Sequence, residues 1–290
     1  MQSHAAIQSS HLTKQYGTTR AVDEIDLAIP YGECFGLLGH NGAGKTTAIR
    51  MLTCRSTPTS GSAHVLGHDV VHERSQIRPR INVVFDEQNL HPRLSGRGTL
   101  RFWAKLYGAS PERVDELLGL VGLDPGNKTA VKDWSTGMRQ RLIIARALIN
   151  EPEVLFLDEP TRGLDPASAL ALREIVQSLV DQGTTVFLTT HDMHEADALC
   201  HRIAFIAEGR IVAMDTPRAL KLSGTDRLEV DITTDTDEQI RLVLDDPDDR
   251  LRLKKLTDTG RIRTMHSREP SLADVFVQLA GRSLVETGTA

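Results

Sequence analysis

The sequence predicts an α/β fold organised around a phosphate-binding loop, with a small α+β extension at its C-terminal end. Three observations carry this expectation. The stretch GLLGHNGAGKTTAIRML (36–52) joins an apolar run to an amphipathic one through a glycine-rich turn. A second apolar run, EVLFLDEP (153–160), ends in adjacent carboxylates. From about residue 225 onward, short alternating segments and one amphipathic stretch stand apart from both. The expected domains are therefore 1–224 and 225–290.

Composition narrows the function classes. Hydrophobic residues make up 40% of the 290, enough for a large core, and aromatics only 4%, too few for a base-stacking surface. A net charge of −5 gives no bulk attraction to DNA or RNA, so no nucleic acid is expected as a partner. Cys34, Cys54 and Cys200 are scattered without metal spacing and are expected to be buried thiols of a reducing compartment. The first residues lack a basic flank followed by an apolar core, and no apolar run approaches the roughly 20 residues that cross a bilayer. The chain is expected to be soluble, so that any work at a membrane needs another polypeptide to span it.

In chain order, IDLAI (25–29) alternates as an edge strand does. ECFGLLG (33–39) reads as a buried strand and KTTAIRMLTCR (45–55) as a helix with Ala48, Ile49, Met51 and Leu52 inward. Between them, Gly39-His40-Asn41-Gly42-Ala43-Gly44-Lys45-Thr46 fits G-x-x-x-x-G-K-[ST], and Thr47 follows. The pattern arises by chance in roughly one chain of this length in a hundred. Glycines let successive backbone N–H groups turn inward as an anion nest, at the positive end of the following helix. Lys45 then reaches the β- and γ-phosphates, and the Thr46 hydroxyl suits Mg²⁺. The acids of the second motif complete the chemistry, because a strand ending in a carboxylate presents it at the sheet edge where such folds bind ligands. Asp158 suits Mg²⁺, directly or through water, and Glu159 suits a general base that polarises an attacking water.

Residues 86 to about 150 read as helical, with Ser95 as a cap and Ser110-Pro111-Glu112 opening a helix that turns Val114, Leu117 and Leu118 inward. In TRGLDP (161–166), Asp165 caps a helix with Pro166 at its first position and Gly183 after its end. TVFLTTHDM (185–193) is a further buried strand followed by His191, and RIAFIAEGRIVAM (202–214) a hairpin turning at Glu208-Gly209. In the extension, RLEVDIT is a strand, TDEQIRLVL (236–244) a helix, DDPDDR a turn, and LRLKKL and RIRTM strands around Gly260. SLADVFVQLAG (271–281) is a helix with Leu272, Val275, Phe276 and Leu279 on one face, Ser271 as cap and Gly281 after its end; the final LVETGTA is expected to be disordered.

Between the two phosphate-site motifs, DWSTGMRQRLIIARALINEP (133–152) resembles the signature region of the ATP-binding subunit of an ABC transporter. The family pattern L-S-G-G-Q before a basic helix stands here as Trp134-Ser135-Thr136-Gly137-Met138, then Arg139-Gln140-Arg141; Ser135 and Gly137 match, Thr136 and Met138 depart. The ending PSLADVF is similar to that of antibiotic-resistance-type members of the ABC-2 branch, the daunorubicin-resistance type. The resemblance implies a P-loop ATPase of the ABC type: a mixed sheet core, an N-terminal antiparallel β subdomain, and a helical subdomain (about 86–150) that receives a membrane partner. It implies ATP and Mg²⁺ as ligands, with Tyr16 of KQYG stacking on adenine, Asp165 in the D-loop and His191 contacting the γ-phosphate. It also implies a head-to-tail homodimer in which Ser135 and Gly137 face the nucleotide of the other copy, and an ABC-2 type permease holding the chain at the inner face of the plasma membrane, on the cytoplasmic side. The cargo is expected to be a drug or antibiotic, with lipid or polysaccharide open.

One position departs from the family. After INVVF (81–85), where a glutamine touching Mg²⁺ is usual, the chain reads Asp86-Glu87-Gln88. Asp86 in that role and a shifted loop presenting Gln88 both stay open. Two other functions stand against export: a nucleotide-binding regulatory module with little turnover, and a non-transport ABC ATPase. Glu159 and His191 argue for turnover, and the single ATP unit argues against the second.

Overall fold

Alternating apolar residues along 5–30 bury one face of a long hairpin. β1 (Ala5–Tyr16) pairs antiparallel with β2 (Thr19–Pro30), and Ile7, Leu12, Ile25, Leu27 and Ile29 point inward. β4 (Ser60–Val65) and the short β5 (His68–Asp69) extend the sheet in the order β2-β1-β4-β5, so residues 25–29 lie in an edge strand as expected. The computed structural model describes residues 5–85, 89–223, 229–268 and 270–287.

The second sheet contains β3 (Cys34–Leu38), β6 (Ile81–Val84), β7 (Val154–Asp158), β8 (Thr185–Thr190), β9 (Arg202–Ala207) and β10 (Arg210–Asp215), in the order β10-β9-β3-β8-β7-β6. Strands β9, β3, β8, β7 and β6 run parallel. Every residue of β3, β7 and β8 is buried, which is why these segments read as continuous apolar runs. Phe187 sits between Phe35 and Phe156 at centroid distances of 5.7 and 5.6 Å. The β9–β10 turn falls at Glu208-Gly209, both at positive φ, as hairpin turns of this length prefer.

Helix α1 (Lys45–Leu52) buries Ala48, Ile49, Met51 and Leu52 but stops short of the predicted Arg55. The chain reverses there: Cys54 takes φ 58°, and the amides of Arg55 and Ser56 both donate to Arg50 O. After the single turn of α2 (Arg74–Ile77) come α3 (Gly96–Tyr107), α4 (Pro111–Leu120) and α5 (Thr136–Ala147). Their caps are Ser95, Ser110 and Ser135, each hydroxyl accepting from an amide of the first turn, and Val114, Leu117 and Leu118 are buried. α6 (Pro166–Asp181) opens on Asp165 and is followed by Gly183 at φ 96°; α7 (Met193–Leu199) opens on Asp192. Cys34, Cys54 and Cys200 are free and buried.

The chain divides into two compact units, residues 1–214 and 215–290, a divide upstream of the 224/225 boundary drawn on the sequence. The second unit includes α8 (Pro217–Ser223), which packs on α10 (Leu272–Thr287). It also holds β11 (Glu229–Thr234), β12 (Gln239–Val243), α9 (Pro247–Asp258) and β13 (Ile262–Arg268), with sheet order β12-β11-β13.

Several expectations for this unit are corrected. TDEQIRLVL contains strand β12, not a helix: Ile240 and Leu242 bury at period two opposite Ile232 and Val230. DDPDDR opens helix α9 instead of making a turn, because Asp246 accepts from the amides of Asp248 and Asp249 and Pro247 fills the first helical position. LRLKKL therefore lies in a helix: Leu253 and Leu256 pack on the sheet core while Leu251 is exposed. Helix α10 is capped by Ser271 as expected but runs through Gly281 to Thr287, so residues 284–287 are helical; residues 288–290 lie outside the described residues.

The Phe187 contacts imply a large truncation penalty. Phe187→Ala is expected to destabilise the first unit by about 3–5 kcal/mol, read as a lowered urea midpoint of the β-sheet circular-dichroism transition.

Candidate functional site

The loop leaving β3 folds back on itself through its own lysine. Gly44 takes φ 111°, and a Cβ there would lie 2.2 Å from Ala21 O, so only glycine fits. Lys45 is buried; its Nζ donates to Gly39 O at 2.6 Å and His40 O at 3.3 Å, and pairs with Glu159 Oε1 at 3.0 Å. A buried ammonium requires such partners.

The neighbouring strands deliver the acids. Asp158 ends β7 opposite Thr189 of β8. Its Oδ2 accepts from Thr46 Oγ1 at 2.8 Å and its Oδ1 from Thr189 Oγ1 at 2.5 Å. Glu159 follows in a left-handed backbone conformation, φ 51°, fixed by its amide donating to Thr189 O. Its second oxygen, Oε2, accepts from His191 Nδ1 at 2.6 Å. That bond assigns the imidazole proton to Nδ1 and leaves Nε2 free to face a ligand.

Lys45, Thr46, Asp158 and Glu159 share a cavity of about 190 Å³, whereas Thr189 and His191 reach it only through their bonds to the two acids. His40, Asn41, Gly42, Gly44, Lys45, Thr46, Thr47, Asp158 and Glu159 line it, together with Ala21 and Arg162. Gly39 and Ala43 are buried in the same loop. An adjoining cavity of about 600 Å³ shares Thr46 and Asp158 with the first and adds Tyr16, Arg50, Arg55 and Phe85. Tyr16, half-exposed, thus lines a cavity that also reaches Thr46 of the phosphate loop. Asp86 and Gln88 lie outside the described residues.

Ser135, Gly137 and Asp165 do not line either cavity. Ser135 caps α5 by accepting from Met138 N at 3.1 Å. Gly137 meets the start of α6: a Cβ there would lie 2.3 Å from Ser168 Oγ. Asp165 accepts from both Ser168 N and Ser168 Oγ, and these bonds hold its carboxyl below the usual aspartate value.

Sequence reasoning missed Thr189, Ser168, Ala21 and Arg162. Thr189 had a signal, the hydroxyl pair Thr189-Thr190 closing the apolar run 186–188 just before His191. Ser168 and Ala21 act through close backbone approach, which no local pattern encodes. Arg162 stood inside a recognised loop but at a position whose pattern says nothing of charge.

Known proteins place this geometry in a family. The sequence pattern described as an ABC transporter matches residues 22–162. A fluoroquinolones export ATP-binding protein of Mycobacterium tuberculosis is 41% identical over 91% of this chain and 89% of its own length. A daunorubicin/doxorubicin resistance ATP-binding protein of Streptomyces peucetius is 39% identical over 98% of this chain and 95% of its own. A Nod factor export ATP-binding protein of Cupriavidus metallidurans is 38% identical over 97% and 99%. Among solved structures, a dimeric ATP-binding cassette in a post-hydrolysis state with ADP and Pi superposes with a TM-score of 0.66 at 26% identity, covering 72% of this chain and 98% of that one. With its phosphate loop, paired acids and histidine assembled on that fold, the chain belongs to the ABC transporter family, among the ATP-binding and hydrolysing subunits of exporters.

Proposed function

We propose that this ATPase works with Mg²⁺ as a head-to-tail homodimer, held by an ABC-2 type permease at the inner face of the plasma membrane, and powers export of a drug-like cargo. The observation that carries the catalytic part is Glu159, whose two carboxylate oxygens reach Lys45 and His191, beside the Thr46–Asp158 pair.

The donor set fits Mg²⁺. Thr46 and Asp158 bring a hydroxyl and a carboxylate together at 2.8 Å, hard oxygen ligands of the kind that ion takes. Bound there, Mg²⁺ would neutralise charge on the β- and γ-phosphates. Lys45 supplies a cation to the same phosphates, and a phosphate oxygen taken by the ammonium competes with Glu159 Oε1 for it. The carboxylate oxygen so released accepts the proton of the attacking water as that water bonds to phosphorus and the bond to the ADP oxygen breaks. His191, oriented by its Nδ1 bond to Oε2, offers Nε2 as a hydrogen-bond acceptor that helps hold the attacking water.

The dimer reading is supported by the position of Ser135 and Gly137 outside their own chain's cavities, and by the dimeric state of the similar ADP–Pi cassette. Among the described residues no helix is long and apolar enough to cross a membrane, so the reading assigns the translocation path to a partner. The cargo class rests on the fluoroquinolone and daunorubicin relatives. Co-expression of the chain with a candidate permease should raise resistance to such drugs; unchanged resistance with both proteins present in the membrane fraction overturns that part.

Two expectations test the site. Glu159→Gln should lower kcat by about 10²–10⁴-fold while ATP binding persists, whereas Lys45→Ala should abolish binding, measured by steady-state hydrolysis and fluorescent-nucleotide titration. Gly137→Ala should destabilise the chain by crowding Ser168, and Ser168→Gly in the same chain should restore the thermal midpoint. If Gly137 also serves the partner's phosphate, hydrolysis stays low in that double variant although stability returns.

A further inference from the structure

A bulge in β2 turns an acidic residue inward. The pair Lys14 and Val22 is followed by the pair Leu12 and Ile25, so β2 advances three residues while β1 advances two, and Glu24 takes φ 52° within the bulge. Bulges re-aim side chains. Here Val22 and Asp23, neighbours in the chain, are both buried. A buried carboxylate requires partners. Asp23 Oδ1 accepts from Arg20 Nη1 at 2.8 Å, and Oδ2 accepts from Arg210 Nε at 2.7 Å. Arg210 opens β10, and both arginine side chains stay more than half exposed.

Three segments meet at the back of the phosphate loop. Asp23 N donates to Gly209 O at 2.9 Å, and Gly209 N donates to Ala43 O at 3.1 Å. Ala21 O closes the same junction: a Cβ on Gly44 would lie 2.2 Å from it and one on Gly209 3.2 Å from it. The Asp23 carboxylate thus holds Arg210 while its own amide holds the residue before, so the Glu208-Gly209 turn is gripped from β2 by side chain and main chain together.

The grip bears on phosphate binding through one peptide plane. A trans peptide keeps its C=O and its N–H on opposite sides. The bond from Gly209 therefore fixes the Ala43 carbonyl toward the turn and faces the Gly44 N–H away from it. Gly44 lines the phosphate cavity beside Lys45, and neither Asp23 nor Arg210 lines it.

We propose that Asp23 and Arg210 are positioning residues that aim the Gly44 amide at the phosphates of the nucleotide by clamping the Glu208-Gly209 turn behind the loop. The inference rests on the reading of residues 39–46 as the phosphate site. An amide aimed in advance spares the ligand the cost of ordering it. Loss of the clamp therefore weakens nucleotide binding and leaves Lys45, Asp158 and Glu159 in place for the chemistry.

The test is fluorescent-nucleotide titration and steady-state hydrolysis by the full chain, with the thermal midpoint recorded without nucleotide. Asp23→Asn and Arg210→Met are each expected to raise the nucleotide Kd and the KM for ATP roughly tenfold, with kcat at saturating ATP within about twofold of wild type. Arg210→Lys, which keeps the charge, is expected to stay within about threefold in Kd. Tripolyphosphate competing with the fluorescent nucleotide should lose affinity by the same factor as ATP, because it meets the same amide. Unchanged Kd in Asp23→Asn and Arg210→Met, whatever the midpoint does, overturns the proposal and leaves the clamp a stability element alone. An affinity loss confined to ATP, a fall in kcat with KM unchanged, or an Arg210→Lys variant no better than Arg210→Met overturns it too. If Asp23→Asn does not fold, the two Arg210 variants decide. Lys45→Ala separates the two readings: nucleotide binding that survives it overturns the phosphate site itself, whereas loss there with wild-type Kd in the clamp variants overturns only the clamp.

Discussion

Three adjacent parallel strands in fixed register are the constraint on which the site depends. β3, β8 and β7 lie side by side, with Leu38 opposite Thr190 and Thr189 opposite Asp158. That register brings the phosphate loop, the acid pair and the His191 turn to one edge of the sheet. A slip of one residue would exchange faces and turn Asp158 away from Thr46 and Thr189. The polar residues do not set the register themselves. It is set by strands buried on both faces and by the Phe35, Phe187 and Phe156 stack between them.

Burial then gives neighbouring acids different chemistry. Asp158 is satisfied by two hydroxyls, a neutral donor set that a hard cation can join. Glu159 is satisfied by an ammonium and an imidazole, so its charge is compensated and can be redirected when a phosphate takes the lysine. Glu195 is fully buried with no hydrogen-bond partner for either carboxylate oxygen, and burial pushes its carboxyl above the ordinary glutamate value. The left-handed backbone at Glu159 belongs to the same design. A non-glycine residue at φ 51° carries a strain on the order of 1–3 kcal/mol, and such strain collects where a side chain must be aimed. Here it accompanies a carboxylate aimed at Lys45 and His191 at once.

The catalytic half of the molecule was legible because its chemistry sits in contiguous motifs. Residues 39–46, Asp158-Glu159 and His191 each follow a strand whose apolar run is unmistakable, and their convergence follows from the rule that parallel strands bind ligands at their carboxyl edge. The C-terminal unit was misread where short charged segments support two periods. LRLKKL alternates like a strand, yet Leu253 and Leu256 are also one helical turn apart, and the cap at Asp246 decides for the helix. Conversely, QIRLV reads as part of a polar helix until its partner strand supplies Val230 and Ile232 opposite. Tertiary pairing, invisible in a window of nine residues, settled the second. Close approach was the other blind spot: Ala21 against Gly44 and Ser168 against Gly137 join segments far apart in the chain.

The Gly137 junction shows that one glycine can answer two demands. In the first turn of α5, Ser135 Oγ takes the Met138 amide and Ser135 O takes the Arg139 amide. Among the described residues this leaves the amides of Thr136 and Gly137 as the donors the helix start can offer an anion. A side chain at 137 is excluded independently, because Ser168 stands where its Cβ would be, and Ser168 is held there by Asp165. Thr136, where this chain departs from the family pattern, offers the same backbone amide as glycine, and its Oγ1 accepts from Arg139 Nη2 at 3.2 Å. The match at Gly137 is therefore dictated from within the subunit before any nucleotide is considered. The signature can be preserved by packing alone, and its presence argues for catalysis only together with the acids and histidine that the fold places at the other site.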